Sequence, residues 1–543
     1  CLQLTALPEC VGELSALTSL DLSSCGGLTA LPDSIGGLRA LTDLRLGETP
    51  LSSRPRSFGG LASLTSLRLS GCASLTALPD SIGALAALTH LNIHYCAIRR
   101  LPDAAGALRA LQTLEVTCHT LARLPDTIGD LAALTALALN SCWRLAYLPE
   151  SIGALRSLTQ LDLTDCRQLT RLPEGTGDLA ALRRLELAGC ELTHLPDDIG
   201  DLAALTTLSL RNCTALKTLP ESIGSLIALT QLDLTGCRQL RALPDSIGNL
   251  RALTMLDLSS CYYALRDSIG DLTALKSLSL CCGARPQLPD SICDLAALTA
   301  LKLSSCAQLT ALPDRVGELS ALTSLDLSSC FKLAALPDSI GGLRALTDLR
   351  LSEASSLSSL PGSIGGLAAL ASLRLSGCLS LTALPESMGA LAALTYLGIH
   401  GCAVAHLPDA TGALRALRML EVSCRALTRL PDTIGDLAAL TALALNACGR
   451  LASLPESTGA LRSLTQLDLT NCRQLTRLPE STGDLAALRR LELAGCEGLS
   501  SLPTTLVRLR QLTQLSVARC QAPVVAFAEA HAQRIRPGEA QSC

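Results

Sequence analysis

One pattern constrains this chain above all others. A unit close to LP-[DE]-S-I-G-x-L-x-A-L-T-x-L-x-L-x-x-C-x-x-L-x-x returns 22 times from Leu7 to Cys520, at a period of mostly 23 or 24 residues. Of the 25 prolines, 21 stand at the LP register position, and 20 of the 40 glycines lie four residues further on. Residues placed so regularly are punctuation. A unit this short cannot bury its own apolar face, so successive units must stack and share a core. The 543 residues are therefore expected to form an elongated array, not the three or four domains of roughly 150 residues that length alone would suggest.

Within a unit the spacing assigns positions. In Leu17-Thr-Ser-Leu20-Asp-Leu22-Ser-Ser-Cys25, strand alternation sends Leu20 and Leu22 inward and Ser19, Asp21 and Ser23 outward. Stacked strands then make a parallel sheet with one polar face. Pro32, Asp33 and Ser34 suit entry to a short helical turn, since proline lacks only an N–H that would be orphaned there and aspartate faces the positive end of the turn. Gly36, repeated as Gly83, Gly129, Gly224 and Gly435, supplies either a positive φ or close approach between coils. Aromatic residues are 2% of the chain and Trp143 is the only tryptophan, so the core must be aliphatic.

Composition bears on partners. A formal net charge of −4 provides no electrostatic footprint for nucleic acid. Apolar residues are interrupted every two or three positions, short of the roughly 20 in a row that a spanning helix needs, so no membrane attachment is expected. Seventeen of the 25 cysteines, among them Cys25, Cys72, Cys237 and Cys330, share one repeat position, and Cys1 extends the series. A zinc site needs short paired spacings that a 24-residue ladder lacks. The ladder thiols read as small buried packing groups with a weak S–H donor, and so many unpaired thiols imply a reducing compartment.

The array has a history. Residues 13–190 recur as 318–496, offset by 305 to 306 residues or thirteen units. Even irregularities are copied: Cys118 and Cys424 each stand one residue off the ladder, while Thr49 and Ala354 replace its cysteine. The repeats are expected to fill 1–522, with the chain opening in mid-repeat. Residues 523–543 read as a capping helix and tail, whose positions 524, 527, 528, 531 and 535 form one mostly apolar stripe.

Leu31–Leu46 and Leu243–Cys261 carry LP-x-S-I-G-x-L-x-x-L-x-x-L in a form that resembles the intracellular leucine-rich repeats of plant disease-resistance receptors, of leucine-rich-repeat effectors of plant-associated bacteria and of Ras-group scaffold proteins. The resemblance covers nearly the whole chain. It implies an α/β fold: a right-handed leucine-rich-repeat solenoid, or horseshoe, with a parallel sheet on the concave face and short helical or 3-10 segments on the convex face. It further implies a non-catalytic, cytoplasmic module that binds a protein partner as part of a larger signalling, immune-receptor or effector protein, with no cofactor and no metal; a bacterial effector would work in the host cytoplasm. Two alternatives stand beside it: the substrate-recognition part of an enzyme, for example a ubiquitin ligase effector whose catalytic domain lies outside this chain, and a structural spacer.

The outward strand positions are the candidate partner surface. They include Asp21, Arg45, Arg68, Asn92 and Asp162 in the first half, then Glu186, Asp233, Asp257, Arg350, Arg374, Asp468 and Glu492, with His90, His94, Arg184, Tyr396 and His400 alongside. Asp162/Glu186, Asp233/Asp257 and Asp468/Glu492 fall one strand spacing of about 5 Å apart. That resembles the separation of a glycosidase acid pair, but an open face cannot exclude water as catalysis requires, and Arg184 and Arg490 flank two of the pairs. His90 and His94, about 13 Å apart on one strand, cannot share one metal ion. The adjacent arginines Arg45/Arg68 and Arg350/Arg374, preceded by Asp43 and Asp348, are the candidate grip for a carboxylate-bearing loop. An irregular segment over 261–290 holds Tyr262, Tyr263, Cys281 and Cys282, and Arg266 where the register calls for proline, so its coil is expected to be the least regular.

Overall fold

A computed structural model describes residues 4–52, 56–261, 265–281 and 287–531. The chain divides into two compact units, Cys1–Leu275 and Lys276–Cys543. Among the described residues, the first contains eleven strands, from Ser19–Asp21 to Met255–Leu258, and twelve 3-10 turns, from Glu9–Glu13 to Asp267–Asp271. The second contains eleven strands, from Ser277–Leu280 to Gln514–Ser516, ten 3-10 turns and one α-helix, Ala522–Ala530. In each unit every strand pairs in parallel with the strand of the next coil.

A single coil shows why the sequence folds this way. Strand Gln160–Asp162 pairs with Arg184–Glu186 in the register Gln160↔Arg184, Leu161↔Leu185 and Asp162↔Glu186. The period of 24 residues brings identical positions side by side, so Leu161, Leu163, Leu169, Leu179 and Leu182 are all buried in one continuous aliphatic column. Full burial of each such side chain contributes roughly 1.5–3 kcal/mol before entropy is charged. A threonine column runs alongside: Thr159 donates from both its N–H (2.8 Å) and its hydroxyl (3.0 Å) to the Thr135 carbonyl of the preceding coil. The A-L-T motif thus pins each strand's entry, a role the leucine pattern conceals.

After the strand the backbone must turn sharply. The residue before the ladder cysteine takes a positive φ, as at Ser141 (57°), Asp165 (60°), Asn212 (58°) and Gly236 (76°). Leu139 and Leu163 still donate to the next coil, but their carbonyls turn inward, where each accepts the N–H of the cysteine three residues on: Cys142 to Leu139 (3.2 Å) and Cys166 to Leu163 (3.1 Å). The cysteine of the next coil supplies a second donor to the same buried carbonyl: Cys166 to Leu139 (3.2 Å), Cys237 to Leu210 (3.1 Å) and Cys472 to Leu445 (3.0 Å). Ladder position and thiol chemistry therefore have one cause, a buried carbonyl that needs a small donor.

Three expectations are refined. The register proline precedes the 3-10 turn instead of opening it; Pro149 is extended (φ −69, ψ 150) and its carbonyl accepts the Ile152 N–H. The register glycine serves close approach, with no positive φ: a Cβ on Gly36 would run into the Ser57 carbonyl of the next coil. Cys118 and Cys424 are members of the ladder, donating to Ile93 and Ile399, because their coils lack the positive-φ residue and the shortening brings the thiols back into line.

Arg266 also departs from expectation. It caps a regular 3-10 turn, Asp267–Asp271, from an extended conformation (φ −102, ψ 165), and its guanidinium reaches both carboxylate oxygens of Asp245 at 2.9 Å. An extended residue with a free choice of φ does what proline does elsewhere, so this turn is not distorted. Tyr262, Tyr263 and Cys282 lie outside the described residues; Cys281 is half-buried and donates to the Ser305 carbonyl at 3.4 Å. At the far end Val524 is fully buried, and Phe527 and His531 line a cleft of about 780 Å³ with Leu506, Leu509, Leu512 and Leu515. Three of the stripe positions thus face the last coil; position 535 falls outside the described residues.

Candidate binding surface on the strand face

The outward strand positions carry two kinds of side chain, those spent on internal bonds and those with valences left. The aspartates are partly spent. One oxygen of Asp162 accepts the backbone N–H of Thr164 at 2.9 Å, and Asp21, Asp233, Asp257 and Asp468 accept in the same way from the residue two ahead. Each therefore stiffens the strand's exit. The predicted neighbours do stand in register: Asp162↔Glu186, Asp233↔Asp257 and Asp468↔Glu492. Arg184 and Arg490 hold Glu186 and Glu492 at 2.7 Å.

The arginine pairs are also adjacent, Arg45↔Arg68 and Arg350↔Arg374. Arg45 and Arg350 bond Asp43 and Asp348 at 2.8 and 2.7 Å, so half of each pair is compensated within its own strand. Arg374 lies over the Tyr396 ring, 5.2 Å from its centroid. His90 and His94 have separate partners, Thr89 (2.8 Å) for His90 and Thr117 (3.1 Å) with Glu115 (3.5 Å) for His94. Asn92 stands between Arg68 and Glu115 in the register. Among the described residues no group of three or more His, Cys, Asp or Glu is arranged to hold a metal ion, and no helix is long and apolar enough to cross a membrane.

In the second unit these side chains converge. Tyr396 lies along its own strand above Gly398, where a Cβ would meet the phenol oxygen at 2.7 Å, and its hydroxyl donates to Glu421 at 2.7 Å. Burial and the Glu421 carboxylate push the Tyr396 phenol up to about 12, so it remains a donor at neutral pH. His400 approaches the same carboxylate at 3.4 Å. Beyond Glu421 the surface dips, because Ala442 and Ala444 provide only methyl groups. The dip holds about 230 Å³ and is walled by Glu421, Asp468, Glu492, Asn446, Met419 and Arg490. Three carboxylates against one guanidinium leave it acidic.

The same order stands in the first unit 306 residues earlier, with Glu115, Ala136, Ala138, Asp162, Arg184 and Glu186. Its registers are Glu115↔Ala138 and Ala138↔Asp162. Sequence reasoning overlooked Glu115, Glu421 and the alanines between the acids. The available signal was small residues at an outward position otherwise filled by long polar ones.

Stacked coils with an aliphatic interior and one polar strand face define a repeat solenoid. A leucine-rich repeat region model matches residues 67–174, 161–287 and 373–477, and a leucine rich repeat model matches 12–73; the chain belongs to the leucine-rich-repeat family. Nothing among the curated proteins matches it. Among solved structures it is similar in fold to the plant peptide hormone receptor RGFR1 in complex with RGF2, at 24% identity and a TM-score of 0.54, covering 96% of this chain and 85% of the receptor. A leucine-rich-repeat protein of Leptospira interrogans matches at 22% identity and a TM-score of 0.36 over 98% and 99% of the two chains. The repeat domain of the type III effector XopL matches at 28% identity and a TM-score of 0.34, over 43% of this chain and 74% of that one.

Proposed function

We propose that this chain is a non-catalytic recognition module that holds a protein partner against its strand face, within a larger signalling, immune-receptor or effector protein, and that basic side chains of the partner seat in the acid-walled dip over Ala442 and Ala444 and against the matching acidic residues of the first unit. The observation that carries the reading is the dip over Ala442 and Ala444: a concavity of side-chain size with a net negative wall. The leucine-rich-repeat fold is consistent with a protein-interaction module, and the receptor of similar fold is in complex with RGF2. The many thiols of the ladder, such as Cys166, Cys237 and Cys472, buried and each donating to a backbone carbonyl, support a reducing compartment, which we take to be the cytoplasm.

Peptides selected from a random display library on the full chain test this. They should be enriched in lysine or arginine and bind at least tenfold more weakly, about 1.4 kcal/mol, to the variant Glu421→Lys with Glu115→Lys. Selected peptides that lack basic residues and bind both proteins equally would refute the proposal.

A further inference from the structure

Away from the strand face, one edge of the first unit carries a column of rings at the positions flanking the ladder thiols. Tyr95 precedes Cys96, His119 follows Cys118, Trp143 follows Cys142 and Arg167 follows Cys166. Tyr95 meets the His119 ring edge-on (6.2 Å, 77°), His119 stacks flat on Trp143 (3.8 Å, 2°), and the Arg167 guanidinium covers the other face of Trp143 at 5.1 Å. Tyr95 is 63% exposed, Trp143 39%, and Tyr147, four residues after Trp143, 48%. A chain with aromatics at 2% and a single tryptophan has placed three exposed rings, Tyr95, Trp143 and Tyr147, within three successive coils.

The duplication tells whether the coils need these rings. At the matching positions of the second unit stand Gly401, Arg425, Gly449 and Ser453 in place of Tyr95, His119, Trp143 and Tyr147, and the same strands and turns form. The fold does not require the column. Arginines surround it: Arg99, Arg100, Arg123, Arg144 and Arg171 are exposed, and Arg100 and Arg123 lie on bridged backbone segments. Among the described residues only Arg167 of this group approaches a carboxylate, Asp165 at 4.0 Å. In a protein of net charge −4 these guanidinium groups stand unpaired by ion contacts, apart from Arg167, among the described residues.

We propose that this edge is a second docking surface, taken by an extended acidic segment of a protein partner that lays carboxylates on the arginines and an apolar side chain on the rings. Ring edges carry the positive part of the aromatic quadrupole and ring faces the negative. Both faces of Trp143 are already covered, so what it presents is its edge, which favours carboxylates and leaves no face on which a nucleic-acid base can stack. The three coil steps from Tyr95 to Arg167 span roughly 15 Å, the reach of about four or five extended residues. Because its partner charge is opposite to that sought by the acidic dip, this surface stands or falls separately from the strand-face reading.

Trp143 reports from within the site. The full chain is titrated at low salt with a fluorescein-labelled 12-residue peptide of glutamates with two central leucines, following anisotropy, and with the unlabelled peptide, following tryptophan emission. Its lysine counterpart and an oligothymidylate of equal charge serve as comparison probes. Saturable binding of the acidic peptide with a change in Trp143 emission is expected. Affinity should fall at least tenfold in Arg144→Glu with Arg171→Glu, and at least threefold in Tyr95→Gly with Trp143→Gly, which installs the second unit's own residues and so keeps the fold. Unchanged affinity in the ring-less variant, tighter binding of the oligothymidylate, or no binding of the acidic peptide up to about 1 mM each overturns the proposal.

Discussion

At the residue scale the ladder cysteine joins packing to chemistry. Its thiol fills a small gap between coils and caps a carbonyl that the positive-φ turn has removed from the sheet. Thr49, buried at the same position with its hydroxyl 3.3 Å from the Cys72 sulfur, shows that the requirement is a small polar group, and Ala354 that a single gap in the column is tolerated. Burial pushes the Cys237 and Cys330 thiols up to about 12, so they lack the thiolate that alkylation needs. Iodoacetamide on the native protein should therefore label the exposed Cys10 and leave Cys237 and Cys330 unmodified until denaturant is added, as peptide mass mapping will read. Native labelling at either ladder thiol would mean that the column is open to solvent.

At the element scale the coil is a strand, a left-handed corner and a 3-10 turn, and its parts were unequally legible. Leucine spacing gave the strand and its inward face directly, because alternation is local. The corner was hidden, since Ser141, Asp165, Asn212 and Tyr95 share its positive φ but no letter; short polar side chains tolerate that region, and the constraint lies in the backbone. Cys118 looked out of line for the same reason. Register glycines left two readings open, and only the neighbouring coil distinguishes them: at Gly224 an added Cβ would strike the Ser246 carbonyl. Backbone cannot yield as a side chain can, so Gly224→Ala should destabilise the protein by about 1–3 kcal/mol, measured by urea unfolding. A change under about 0.5 kcal/mol would show that the coils have slack between them.

At the scale of the molecule, duplication makes properties additive. Besides Cys237 and Cys330, burial raises the thiols of Cys142, Cys190, Cys448 and Cys496 to about 12 from an ordinary 9.0. Hydrogen bonds from neighbouring thiols hold Cys72, Cys118 and Cys378 lower, which offsets part of the effect. The unfolded chain loses thiol protons from about pH 9, whereas the folded chain keeps them until about 12. Between those values the folded state binds more protons, so stability is fully present below pH 9 and is lost as pH rises toward 12. The thermal midpoint should hold steady from pH 7 to 8.5 and fall progressively above 9; a flat profile to pH 11 would contradict the buried ladder.

The repeat count, the parallel register and the acid pairs were all legible at this scale, because a fixed period converts sequence distance into spatial adjacency. The dip was not. It depends on Ala442 and Ala444 being short between longer neighbours, a relation between coils that a single repeat does not display. The most direct measurement of the central claim is calorimetric titration of one display-selected basic peptide into the full chain and into Ala138→Trp with Ala444→Trp. Both side chains point to solvent, so the indoles fill the dip and cover its counterpart without entering the core. The account predicts at least a tenfold loss of affinity with an unchanged thermal midpoint; equal affinity for the filled and unfilled proteins would contradict it.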